Sequence, residues 1–318
     1  MAYITNTITS ANPGLDLHTA MASALTTAGY TLVDTVVIST RTHKVWKCPA
    51  ANNTAGLDWY LDIAYPTTGN GNMSILPFES YDPATHLALR GIIASGSTTI
   101  DATTFSVNGA TSAALESASN CLHAGNAVAG NQLVLTTSSF GYWISITGNR
   151  VIALTSADPT FVVYAGMHSP SGAHATAAGA KLFPLIFAKI NAFSANSTST
   201  NAPSSTACGL TRLPQLSSLT STGWRYQLQA ASAFPLAALP QIPSGATGAF
   251  PLATSPILAI AGIADLTQGA QGWWGTFYDL MLVNAAATVS RGDTITIGTD
   301  NCVLTNQSSN YALAFKAL

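Results

Sequence analysis

Tyr142-Trp143-Ile144-Ser145-Ile146 is followed by Gly148-Asn149 and then by Arg150-Val151-Ile152-Ala153-Leu154. Two runs rich in β-branched and aromatic residues around a glycine-asparagine pair form a hairpin signal. Phe161-Val162-Val163-Tyr164-Ala165-Gly166 has the same character and supplies the next strand, and Gln132-Leu133-Val134-Leu135 a preceding one. Further towards the N-terminus the pattern continues at Tyr30–Ile38, Lys44–Cys48, Trp59–Tyr65 and Met73–Phe78, separated by Asn- and Gly-rich turns. Alternation sets Trp59, Leu61, Ile63 and Tyr65 on one face and Tyr60, Asp62 and Ala64 on the other. These strands are expected to form one sheet with the hairpin, ending near Met167.

One segment breaks the two-residue period. Leu17, Met21, Ala24, Leu25 and Ala28 repeat at helical spacing within Leu15–Gly29, with Asp16 as the expected N-cap and Gly29 as the terminator. The expected fold is therefore α+β, mainly β: an N-terminal helix plus an antiparallel sheet domain, with a β-rich C-terminal region. The boundaries are an extended arm at 1–14, the sheet domain at 15–168, a Pro/Ser/Thr-rich connecting region at 169–256 and the C-terminal β region at 257–318. In that last region Ile257–Asp265, Trp273–Val283, Asp293–Ile297, Cys302–Thr305 and Tyr311–Phe315 read as strands. Ala192–Ala207 reads as an exposed low-complexity loop, Pro235–Pro256 as an extended path.

Composition narrows the function. Charged residues make up 8% of the 318, against roughly 25% in an ordinary soluble domain. Ser, Thr, Asn and Gly must then solvate the surface, or much of it is covered by other subunits. A net charge of −2 with a sequence pI near 6.3 gives no basic surface for nucleic acid. No run reaches the ~20 apolar residues of a membrane-spanning helix, and Met1–Asn6 does not read as a secretory leader. Cys48, Cys121, Cys208 and Cys302 form no CxxC pair and are expected to be free, buried thiols.

Candidate chemistry is sparse, and no catalytic, cofactor-binding or metal-ligating residue is assigned. Glu79, Asp82 and His86 are a carboxylate–carboxylate–imidazole group suited to acid/base work or a divalent ion. Asp82-Pro83, however, is a turn signal in which the carboxylate bonds its own backbone. Asp58 and Asp62 flank the start of a strand and read as the wet side of a half-buried sheet. His168 and His174 flank a small-residue loop without a third ligand, and Glu116 is far from Glu79. Arg291-Gly292-Asp293 reads as a turn before a terminal strand. Trp273, Trp274, Phe277 and Tyr278 suit a core, a subunit interface or a sugar-stacking platform.

Several phrases occur together: Ala28-Gly29-Tyr30 before Lys44-Val45-Trp46-Lys47; Leu57-Asp58-Trp59-Tyr60-Leu61-Asp62-Ile63 before Pro77-Phe78-Glu79-Ser80-Tyr81-Asp82; and Gly141–Ile146 with Arg150–Ala153 and Tyr164-Ala165-Gly166-Met167. Their order resembles virion structural proteins of tailed bacteriophages, found among minor tail, baseplate and neck components. The resemblance covers about the first half of the chain and transfers no active-site residue. It implies a protein made in the bacterial cytoplasm and built into the virion. It further implies a homo-oligomeric ring with other virion proteins as partners and, in a tail, the host surface within reach. Ala2, Tyr3 and Ile4 of the arm, with Trp273, Trp274 and Tyr278, are the expected contact residues. Truncating Ala2–Asn12 is expected to leave a folded monomer that no longer enters particles. A host-surface or carbohydrate-binding module and an envelope-polymer depolymerase are the competing expectations.

Overall fold

The computed structural model describes residues 1–38, 40–69, 71–78, 80–84, 86–89, 93–94, 97–100, 103–106, 132–133, 135–158, 161–170, 185–191, 204–210, 224–230, 255–263, 273–284, 290–308 and 311–317. The N-terminal elements are β1 (Ala2–Ile8), α1 (Pro13–Thr27), β2 (Thr31–Ile38), β3 (Arg41–Cys48), β4 (Trp59–Pro66) and β5 (Met73–Phe78). Short strands follow: β6 (Ser80–Asp82), β7 (Leu87–Leu89), β8 (Ile93–Ala94), β9 (Ser97–Ile100), β10 (Thr103–Ser106) and β11 (Gln132–Leu133). The central strands are β12 (Phe140–Ile146), β13 (Arg150–Thr155), β14 (Phe161–Pro170), β15 (Leu185–Asn191), β16 (Ser204–Leu210) and β17 (Trp224–Ala230). The chain ends with β18 (Ser255–Ile263), β19 (Trp273–Asn284), β20 (Thr294–Ile297), β21 (Asp300–Ser308) and β22 (Tyr311–Lys316). The protein is mainly β and antiparallel, with one α-helix among the described residues.

The helix begins two residues before the sequence expectation. Pro13 occupies the first turn, where its missing N–H costs nothing, so Asn12 is the N-cap and Asp16 lies inside the first turn. Leu17, Met21 and Leu25 are fully buried, each worth about 1.5–3 kcal/mol on removal from water. Gly29 ends the helix as expected. Its φ of +87° lets Gly29 N donate to Thr26 O and Tyr30 N to Leu25 O, a left-handed cap that turns the chain straight into β2.

The sequence expectation of one sheet is corrected to two. β2–β5 lie in a five-stranded sheet ordered β11-β5-β4-β3-β2. The hairpin strands β12 and β13 belong to a larger sheet running β1-β12-β13-β14-β19-β22-β21-β20, joined at its middle by β15–β18 and β8. One core unites them: Leu17, Met21 and Leu25 of α1, Trp59, Leu61 and Ile63 of β4, and Ile144, Val151, Ala153 and Val163 of the large sheet. Alternation along a strand predicts faces but not neighbours, and the long connections leave pairing open.

β13 is buried at every position. Even its alternate face, Ile152 and Leu154, is covered, because the C-terminal strands return over it. β14 makes that return possible. Phe161–Met167 pairs with β15, while His168–Pro170 pairs with β19. The hand-over follows Gly166, whose φ of +148° and close approach to the Asn149 carbonyl leave no room for a side chain. The strands expected at the C-terminus are present, and β22 pairs with β19 along Leu280–Asn284. The arm expected at 1–14 is extended over Ala2–Ile8, but each of those seven residues pairs with β12 of its own chain, and Pro13 and Gly14 belong to α1. Ser204–Ala207, expected in the low-complexity loop, lies in β16. Residues 107–131, 192–203 and 231–254, which hold most of the connecting-region expectations, lie outside the described residues.

Candidate functional site

The expected contact residues occupy three different settings. Ala2, Tyr3 and Ile4 pair with Ile146, Ser145 and Ile144; Ala2 is buried, and Tyr3 and Ile4 are half-buried. Tyr278 packs against the main core, and its hydroxyl lies 2.8 Å from Thr54 Oγ1; the Thr54 N–H in turn donates to Asn149 Oδ1. Trp273 and Trp274 start β19, with their side chains outside the described residues.

The carboxylates and imidazoles assemble differently from their sequence spacing. His86 joins Asp34, 52 positions away, with Nδ1 2.7 Å from Oδ2. Tyr81 donates to the same oxygen at 2.5 Å. Burial pushes the Asp34 carboxyl up, but bonds from Tyr81, His86 and the Thr35 N–H outweigh it and hold it below its ordinary value. Burial and the Asp34 bond push Tyr81 well up, so the phenol stays protonated. Asp82 accepts from Ala84 N at 2.9 Å, the turn role expected of it. Glu79, the third member of the expected group, lies outside the described residues, as do Glu116 and His174; His168 is in β14, with only its backbone described. No signal in the sequence links Asp34 with His86. Their meeting needs β2 at the sheet edge and the β6–β7 hairpin folded against it.

A second histidine–carboxylate pair was missed. His43 Nδ1 lies 3.0 Å from both oxygens of Asp62, and both side chains are fully buried. This corrects the expectation that Asp62 is on a wet face. Arg41, on the same face, donates to the Ala64 and Asn72 carbonyls. Alternation set Asp62 on one face with Tyr60 and Ala64, but Arg41 and His43 precede the strand expected at Lys44–Cys48, and alternation cannot say whether that face is covered. Asp58 behaves as expected of a surface residue: it pairs with Lys47 at 2.6 Å and accepts from Ala50 N.

A third cluster ties the layers together. Fully buried Arg150 makes a two-pronged contact with Asp279 Oδ2, Nε at 3.1 Å and Nη2 at 2.9 Å, and donates to Ser145 Oγ. Ser145 Oγ donates to the Lys316 carbonyl. Asp279 is held at a φ of +57°, a conformation Asp tolerates better than most residues. Nearby, the Gly148 carbonyl accepts from Trp59 Nε1, joining the tip of the hairpin to the five-stranded sheet. The Arg291-Gly292-Asp293 turn is likewise committed inward. Arg291 donates to the Thr155 and Asp158 carbonyls, and Asp293 accepts from Ser290 N.

The two cysteines with described side chains, Cys48 and Cys302, are free and buried; burial pushes each thiol up to about 11, which suppresses the nucleophilic thiolate. A carboxylate-oriented imidazole such as His86 has the geometry of a general base. Among the described residues its two hydrogen-bonding companions are a committed carboxylate and a protonated phenol. Among the described residues no three His, Cys, Asp or Glu side chains gather as metal ligands, and no helix is long and apolar enough to cross a membrane. No family model and no curated protein matches the chain.

Proposed function

We propose that this chain is a structural component of a tailed-phage virion, assembling with copies of itself and other virion proteins in the tail, baseplate or neck. The observation supporting this reading is how the few charged residues are used. Arg150–Asp279 and His43–Asp62 are spent inside the molecule, and Arg291 bonds backbone carbonyls. In a chain with 8% charged residues, that leaves a surface poor in the groups that keep an isolated protein soluble. Such a surface suits burial against neighbouring subunits. The strand-and-turn phrases that resemble phage virion proteins supply the particle in which those neighbours occur.

The test is biochemical. Particles are purified from a lysate of the bacterium carrying the gene, and their proteins are quantified by mass spectrometry. Several copies per particle, retained after salt washing, are expected. Absence from intact particles overturns the reading. The carbohydrate-binding alternative gains nothing from Tyr278, whose ring packs on the core and whose hydroxyl lies against Thr54.

A further inference from the structure

Asp82-Pro83 and Asp158-Pro159 are the two aspartyl-prolyl links in the chain. In such a link the carboxylate stands one ring closure away from its own carbonyl carbon. A nucleophile tethered in that way acts at a very high effective concentration when it is oriented. Proline removes the rival reaction. Its nitrogen carries no N–H, so it cannot itself attack the aspartate side chain.

The fold holds the first link in a prepared geometry. β6 ends at Asp82, which is in register with Leu87 of β7, so Pro83 opens the turn of a hairpin that forms its own two-stranded sheet. Tyr81, just before the link, and His86, beyond it, both bond Asp34 Oδ2, at 2.5 and 2.7 Å. The turn is thus pinned at both ends to one oxygen of β2. Within it the Ala84 N–H donates to Asp82 Oδ1 at 2.9 Å, which folds the carboxylate back across the Asp82–Pro83 link. His86 has a φ of +57°, a strained conformation that persists only where its surroundings hold it. Asp82, Pro83 and Ala84 are exposed, so water and acid reach the bond. Asp158 differs. Arg291 Nη1 polarises its carbonyl at 2.8 Å, but the residue is half-buried, which restricts the acid that a departing proline nitrogen needs.

We propose that the Asp82–Pro83 bond is a self-cleavage site, with Asp82 as the nucleophile and Asp34 as a positioning residue. A carboxylate oxygen of Asp82 attacks the carbonyl carbon of its own residue and closes a cyclic anhydride. The C–N bond to Pro83 breaks, its electron pair stays on the proline nitrogen, and that nitrogen takes a proton from a solvent acid. One water then opens the anhydride. Asp82 becomes a C-terminal residue with two carboxyl groups, and Pro83 a free secondary amine. The sum is hydrolysis of one peptide bond by one water. The two pieces stay together, because β1 is paired with β12, β5 with β11, and α1 and β4 share a core with Ile144 and Val151. The outcome is a nicked molecule of unchanged fold, and the inference does not rest on the virion reading.

Mass spectrometry of the purified full chain, incubated at about pH 5 and then denatured, tests this. One piece ending at Asp82 and one beginning at Pro83 are expected. They should form at least about tenfold faster from the folded chain than from the same chain in urea, since only the fold orients the carboxylate. Pro83→Ala should abolish the cut. Asp34→Ala, folded by near-UV circular dichroism of the buried Trp59, should bring the rate down towards that in urea. Tyr81→Phe, which removes one of the two pins, should give an intermediate rate. Equal rates with and without urea, a cut that favours Asp158–Pro159 in the folded chain, or a rate indifferent to Asp34→Ala overturns the proposal.

Discussion

At the scale of single residues, His18 shows what burial does to a titrating group. It sits on the inner side of α1 with its Nε2 accepting from Trp46 Nε1, which requires that nitrogen to be unprotonated. Burial, reinforced by Lys44, lowers its pKa from 6.5 to about 4. Between those values the unfolded chain binds a proton that the folded chain refuses. Stability is therefore unaffected above about pH 6.5 and falls as pH drops towards 4, by about 3 kcal/mol in total. Urea unfolding from pH 7.5 down to 4.5 should show this loss. His18→Gln, which keeps an acceptor for Trp46 but does not titrate, should flatten the slope.

At the scale of elements, β1 shows how an extended segment changes meaning with its partner. It is in register with β12 from Ala2↔Ile146 to Ile8↔Phe140, and Ala2 and Ile8 are buried in the main core. Truncating Ala2–Asn12 would uncover the edge of β12 and the core beside Ile144. It would also remove the Asn12 side chain, which accepts from Gly69 N. The revised expectation is a destabilised chain rather than a sound monomer that fails to assemble. A melting temperature lowered by at least several degrees, read by circular dichroism, is the outcome that checks it. Helix α1 is the opposite case. Its apolar spacing and the terminating Gly29 were legible in sequence, because both act within one or two turns of chain.

At the scale of the whole molecule, the layers are held by groups remote in sequence. Arg150 and Asp279 are 129 positions apart, and Ser145 reaches the Lys316 carbonyl across 171. Replacing Arg150 with Met leaves Asp279 facing an apolar neighbour and strips Ser145 of a donor. Because the Asp279 carboxylate is 30% exposed and can be partly solvated, a loss of about 1.5–3 kcal/mol is expected, measured as a shift in the urea midpoint at constant slope. Arg150→Met combined with Asp279→Leu should recover part of it, because the uncompensated charge is then gone.

Much of the local architecture was determined by the sequence alone. The strand segments from Thr31 to Phe78 and from Tyr142 to Met167, the faces of β4, the helix and the turn role of Asp82 all follow from periods and turn residues within a few positions. Tertiary structure decided the rest: that β2–β5 and β12–β14 belong to different sheets, that the Asp62 face is buried, that His86 answers to Asp34, and that β2 pairs with β3 alone among the described strands. The physical reason is range. Propensity and alternation act along the chain over a turn or a strand, whereas pairing, burial and the partner of each charge are set by segments the sequence separates by tens to hundreds of residues.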